Sequence, residues 1–124
     1  MIKGVGTDII EIQRIVKVLK KHGEAFLKKM LNTSEIEYCQ RHQDAHPYIA
    51  ARFAAKEAVV KALGIGFGEE AGFLDITIVH DELGKPIVVL SEKLREWVGD
   101  AQLHISLSHC KKYAVAFVVH THTI

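Results

Sequence analysis

The segment Arg52-Phe53-Ala54-Ala55-Lys56-Glu57-Ala58-Val59-Val60-Lys61-Ala62-Leu63-Gly64 constrains this chain more than any other. At about 100° per residue, a helix here sets Ile49, Phe53 and Val60 in one large apolar stripe. Ala54, Ala55, Ala58 and Ala62 form a small-residue face suited to close packing. A helix apolar nearly all round is the pattern of a buried one. Glu57 and Lys61 fall between these faces, one turn apart, and an ionised carboxylate is costly to bury unless paired or bound to metal. Two readings follow. In one, Glu57 and Lys61 form an i,i+4 ion pair worth about 0.2–0.5 kcal/mol on an exposed surface. In the other, Glu57 ligates a metal and Lys61 meets an anion, with Asp8 as the natural second ligand. Arg52 projects well away from Lys61, so it serves a neighbouring subunit's site or is a surface residue.

The flanking sequence reads as one α+β domain spanning residues 1–124, with N-terminal helices packed on a mainly antiparallel sheet. Met1 to Ile10 alternates as a strand, in which Gly4 and Gly6 leave room for another backbone or a ligand, and Asp8 stands at its exit. Ile12, Ile15, Val16 and Leu19 share one face of an amphipathic helix that Gly23 stops. Phe26, Leu27, Met30 and Leu31 face inward from a second, short helix. Ser34-Glu35-Ile36-Glu37 has the form of a capping box and starts a third, running to about Arg41. Pro47 suits the first turn of the central helix and Gly64 its end. Beyond the glycine-rich residues 64–72 the pattern becomes alternating. Strands run from Asp75 to His80 and from Ile87 to Leu90, Ser91 caps a short helix, and a last hairpin joins Gln102–Ser108 to Tyr113–His120.

Composition narrows the function. With 48% apolar and 25% charged residues and a net charge of +1, the chain is neither a polycation built for nucleic acid nor long and apolar enough anywhere to span a membrane. Cys39 and Cys110 fit no zinc spacing and read as reduced thiols of a cytoplasmic protein. Residues 64–68, Gly-Ile-Gly-Phe-Gly, are neither a P-loop nor a dinucleotide fingerprint; they stop a helix or let backbone approach a phosphate. Arg14, Lys17, Lys20, Lys21, Lys28 and Lys29 cluster near a single acid, Glu24, as a solvated face or a patch that steers an acidic partner. No aromatic platform interleaves these lysines, which argues against single-stranded nucleic acid. The terminal pair His120 and His122 reads as solvent-exposed rather than metal-binding. His104 and His109 have opposite parity on one strand and are not joint ligands. Ser106 and Ser108 lack a nucleophile elbow.

Four stretches, in order, carry a family resemblance: Gly4-Val5-Gly6-Thr7-Asp8-Ile9; Arg52-Phe53-Ala54-Ala55-Lys56-Glu57 with Lys61-Ala62-Leu63-Gly64; Gly84-Lys85-Pro86; and His104-Ile105-Ser106-Leu107-Ser108-His109 with Tyr113-Ala114. The chain resembles the short, holo-[acyl-carrier-protein] synthase type of 4'-phosphopantetheinyl transferase along its whole length. The resemblance implies coenzyme A as donor, a serine of an acyl carrier protein as acceptor, magnesium as cofactor, and a homotrimer with active sites between subunits. On matched positions it implies Asp8 and Glu57 as metal ligands and Lys61 at the coenzyme A phosphates. Arg52, Gly64, Pro86, His104 and Ser106 fall at or near the coenzyme A cleft. Arg14, Lys17 and Lys21 would meet the carrier protein. Ile65, where the family often has Thr, and Phe73, where it often has Trp, depart from the pattern in loop contacts and local packing.

Overall fold

The structure, a computed structural model, describes residues 1–68 and 71–122. Strand β1 (Ile2–Glu11) leads into three short helices, α1 (Ile12–His22), α2 (Glu24–Met30) and α3 (Thr33–Gln40), and then the long α4 (His46–Leu63). The hairpin β2 (Ile76–His80) and β3 (Pro86–Leu90) follows a 3-10 turn at Phe73–Asp75. Helix α5 (Glu92–Val98) and a second hairpin, β4 (Ala101–His109) and β5 (Tyr113–His122), complete the order. β5 lies between β1 and β4 and is antiparallel to both, while β2 and β3 pair separately. The α+β architecture is the one the helix-then-strand pattern predicts.

Helix α4 packs chiefly on β1 and β5. Its small residues are what let it do so: Ala54, Ala55 and Ala58 are fully buried, and Ala62 nearly so. The strand answers with Gly4 and Gly6. A Cβ on Gly4 would collide with the Ala62 carbonyl oxygen, and one on Gly6 with the Ala58 carbonyl oxygen and the Ala62 nitrogen. The space that the two glycines leave is therefore filled by helix backbone. Backbone atoms cannot swing aside, so Gly6→Ala is expected to destabilise the domain by about 1–3 kcal/mol, in the range of overpacked cores, or more. A melting temperature lowered by several degrees is the readout; an unchanged one would show that helix and strand are not held at this approach.

Local signals hold at most helix ends. Gly23 follows α1 at φ 58°. Pro47 stands in the first turn of α4, and Gly64 closes that helix in the left-handed conformation at φ 75°. Ser91 Oγ accepts from the Leu94 N–H at 3.2 Å and caps α5. The box proposed at Ser34-Glu35-Ile36-Glu37 is out of frame by two residues. Asn32 is the N-cap of α3, and its N–H donates to Glu35 Oε1 at 3.0 Å. Glu35 is recruited because its carboxylate is needed inside, as described below. His120 is a second correction: it is buried, not exposed, because β5 turns Ala114, Ala116, Val118 and His120 toward α4. Cys39 is buried and Cys110 exposed, and both are free thiols. Burial pushes the Cys39 thiol up to about 11. Among the described residues no helix is long and apolar enough to cross a membrane.

Candidate active site

Strand alternation sends Gly4, Gly6, Asp8 and Ile10 toward α4. Asp8, two residues beyond the last glycine contact, reaches the helix where Glu57 and Lys61 emerge. Lys61 Nζ donates to Asp8 Oδ1 at 3.1 Å and to the Thr7 carbonyl at 3.0 Å. Of the two readings, the i,i+4 ion pair with Glu57 does not form; Lys61 bridges from helix to strand instead. Lys61 keeps half its side chain in solvent, whereas that of Asp8 is 17% exposed. Glu57 is half-buried. Its carboxyl is held above the ordinary range, first by burial and then by the nearby Asp8 charge, against the opposing pull of Lys61. Two carboxylates and one available ammonium therefore share a partly desolvated corner, where a further cation would relieve the repulsion.

Arg52 lies elsewhere, and it is not a surface residue. It is 2% exposed and faces α3 and β2 from the other side of α4. Nη2 donates to the Ile78 carbonyl at 3.3 Å and approaches His80 Nδ1 at 3.4 Å. The guanidinium carbon stands 4.2 Å from the centre of the Tyr38 ring. Burial, then the Arg52 charge, depresses the His80 pKa, which favours the neutral ring that can accept this bond. Arg52, Tyr38, His80 and Gly84 line an open cleft of about 410 Å³, with Arg41, Asp81 and Glu82 also at its walls. Pro86 pairs with His80 across the hairpin, at the same end of β3.

Behind Arg52 lies a buried ionic cluster that the sequence reading missed. Glu35 Oε1 accepts from Lys56 Nζ at 2.8 Å, and Oε2 accepts from the Ile78 N–H at 3.0 Å. Lys56 Nζ also donates to the carbonyls of Met30 at 2.6 Å and Phe73 at 3.0 Å, so its three protons are all engaged. Burial pulls the Lys56 ammonium below its usual range, and the Glu35 charge and hydrogen bond oppose that shift. Arg52 Nε stands 3.7 Å from Glu35 Oε2 and has no hydrogen-bond partner. One carboxylate thus faces two cations. The sequence signal for this cluster is Lys56 itself, which sits among Ala54, Ala55, Ala58 and Val59 and requires an acid from elsewhere in the fold.

The other proposed residues fall in three further places. His104 and Ser106 are exposed on the face of the sheet opposite α4, where His104 Nε2 lies 3.0 Å from Thr121 Oγ1. Within one chain they do not meet Asp8, Glu57 and Lys61. Val5, Ile9, Tyr113 and Phe117 lie on the same outer face and are exposed, Ile9 by 62% and Phe117 by 46%. Arg14, Lys17 and Lys21 are exposed on α1. Gly64 ends α4 one turn beyond Lys61.

A paired-carboxylate and lysine corner thus lies where a glycine-bearing strand meets an alanine-rich helix, a set of groups able to hold a divalent cation and to meet an anion. The 4'-phosphopantetheinyl transferase superfamily matches residues 4–118. The holo-[acyl-carrier-protein] synthase of Ruminiclostridium cellulolyticum is 49% identical over 119 residues, covering 93% of this chain and 89% of its own. The crystal structure of the holo-[acyl-carrier-protein] synthase from Neisseria meningitidis superposes with a TM-score of 0.91 at 38% identity, covering 98% of this chain and 99% of that one. The Helicobacter pylori holo-[acyl-carrier-protein] synthase, solved in complex with coenzyme A, gives a TM-score of 0.87 at 38% identity over 94% of this chain and 99% of that one. The chain belongs to the 4'-phosphopantetheinyl transferase superfamily and is an enzyme of the holo-[acyl-carrier-protein] synthase type.

Proposed function

We propose that the chain transfers the 4'-phosphopantetheine of coenzyme A to a serine hydroxyl of apo acyl carrier protein, with magnesium as cofactor, in the cytoplasm and in support of fatty acid biosynthesis. The observation that carries this reading is the Asp8, Glu57 and Lys61 corner in a chain of this superfamily. The coenzyme A complex of the Helicobacter pylori relative supports the donor.

The donor set fits magnesium. The ion commonly takes one or two carboxylates and completes its shell with phosphate and water. Asp8 and Glu57 would hold it, and Glu57's raised pKa marks a place where added positive charge is favourable. When bound there, magnesium neutralises charge at the pyrophosphate of the donor. The serine oxygen attacks the β-phosphorus, a new P–O bond forms, and the P–O bond to adenosine 3',5'-bisphosphate breaks. Glu57, directly or through a water, is the candidate base for the serine proton. Lys61, half in solvent and tethered to Asp8, stabilises the charge on the leaving bisphosphate or protonates it.

Arg52 supplies a second anchor. Glu35 balances only one of Lys56 and Arg52, and the buried surplus of positive charge at the cleft floor suits a donor phosphate. Gly64 and Pro86 border these two anchors. In this reading the assembly is a homotrimer; the exposed Val5, Ile9 and Phe117 of the outer sheet face support a second copy packing there, beside His104 and Ser106. The basic face of α1 would dock the carrier protein. Charge reversal at Arg14 and Lys21 together is expected to raise the KM for carrier protein by tenfold or more while that for coenzyme A stays within about twofold. Equal effects on both substrates would count against docking there.

The rival reaction is hydrolysis of coenzyme A. Chromatography of the nucleotide product separates the two. Transfer predicts that bisphosphate forms only when apo carrier protein is present, and steady release without it would replace transfer by hydrolysis.

A further inference from the structure

Arg52 does not hold its own position. A long side chain in a cleft wall ordinarily samples several rotamers, and ordering it opposes ligand binding. Here two residues of α3, three apart and so on one face of that helix, supply a surface and a charge for it. The Tyr38 ring lies 4.2 Å from the guanidinium carbon, and the Glu35 carboxylate lies 3.7 Å from Nε. His80 stacks on Tyr38 with ring centres 4.4 Å apart and planes 12° apart, and its Nδ1 lies 3.4 Å from Arg52 Nη2, so imidazole, phenol ring and guanidinium form one packed group. Glu35 is itself fixed by the Ile78 N–H, the Asn32 N–H and Lys56. Of the cations on α4 it accepts a hydrogen bond from Lys56, at 2.8 Å, and meets Arg52 Nε by charge alone, at 3.7 Å.

We propose that Glu35 and Tyr38 are positioning residues for donor binding: together they clamp the Arg52 guanidinium at the cleft floor, in the orientation that receives a phosphate of the coenzyme A donor. The proposal rests on the transferase reading above and assigns a role to two residues of α3 that make no contact with the reacting atoms. The clamp acts through the ring face of Tyr38, not through its hydroxyl.

The test is steady-state kinetics with coenzyme A as the varied substrate and carrier protein saturating. Tyr38→Leu is expected to raise the KM for coenzyme A about five- to tenfold, the scale of a desolvated cation–π contact, with kcat within about twofold. Tyr38→Phe, which keeps the ring face, is expected to restore the KM to within about twofold of the wild type. Tyr38→Leu should add nothing once Arg52→Ala is present, because the effect runs through Arg52. Glu35→Gln, where it folds, should move the same KM in the same direction. An unchanged KM in Tyr38→Leu overturns the clamp. So does a loss in Tyr38→Phe as large as that in Tyr38→Leu, or a Tyr38→Leu effect that persists beside Arg52→Ala. Wild-type protein that transfers nothing from coenzyme A would instead remove the transferase reading, and this inference with it.

Discussion

Glu57→Gln is expected to lower carrier-protein modification by about two to four orders of magnitude, the usual contribution of a general base, without weakening the fold. Gln keeps the volume and removes the charge. Because burial and then Asp8 raise the Glu57 pKa, the folded state binds its proton more readily than the unfolded state does. Stability therefore falls as pH rises through the carboxylate range and on to the raised pKa, so the ionised group costs stability above it. The variant should therefore melt at the same temperature as the wild type or slightly higher, a pairing of lost activity with retained stability that unfolding cannot imitate. Initial rates and thermal melts on the same preparations check both parts, and full activity in Glu57→Gln would remove Glu57 from the reaction.

Glu35→Ala is expected to be the most damaging single truncation for stability. It leaves the Lys56 ammonium and the Arg52 guanidinium buried without their counter-charge, and it strips an acceptor from the Ile78 and Asn32 N–H groups. Breaking a buried pair by removing one partner costs about 3–5 kcal/mol. A domain of this size has about 5–15 kcal/mol of stability in all, so the melting temperature should fall by roughly 10–20 °C. Pairing the change with Lys56→Met should recover part of the loss, since an apolar side chain of similar length has no charge to strand. Urea or thermal unfolding measures both. A Glu35→Ala variant that melts within a degree or two of the wild type would show that this cluster does not tie α3 to α4.

The fold was legible where the signal is local or periodic. Pro47, Gly64 and Ser91 end or start helices by their own backbone and side-chain chemistry, and the structure has each in that role. The match between Gly4 and Gly6 on one side and Ala58 and Ala62 on the other could be anticipated as a close approach, because both segments show small residues at the period of their own element. The meeting of Asp8 with Lys61 was a matter of two strong clues at a sequence distance that patterning cannot bridge, and only the packing of α4 on β1 joins them. Glu35 was not legible. Asn32-x-x-Glu35 and Ser34-x-x-Glu37 both have the cap spacing, and nothing local says which acid is drawn inward. That is decided by Lys56 and by the N–H of Ile78, which lie far along the chain. Arg52 illustrates the same limit: its direction away from Lys61 followed from the helical wheel, but the Tyr38 ring and His80 that bury it belong to α3 and β2. The strand parity of His104 and Ser106 was readable. Which face of the sheet α4 would cover was not, and that is what separates them from Asp8 and Glu57 within one chain.

The central claim is transfer of phosphopantetheine by the Asp8, Glu57 and Lys61 corner, and intact-mass spectrometry of the acceptor tests it most directly. Apo acyl carrier protein incubated with the chain, coenzyme A and magnesium should gain the mass of one phosphopantetheine. The gain should disappear on chelation of the metal and in Asp8→Ala. A folded chain that leaves several apo carrier proteins at their starting mass, with coenzyme A and magnesium present, would contradict the account.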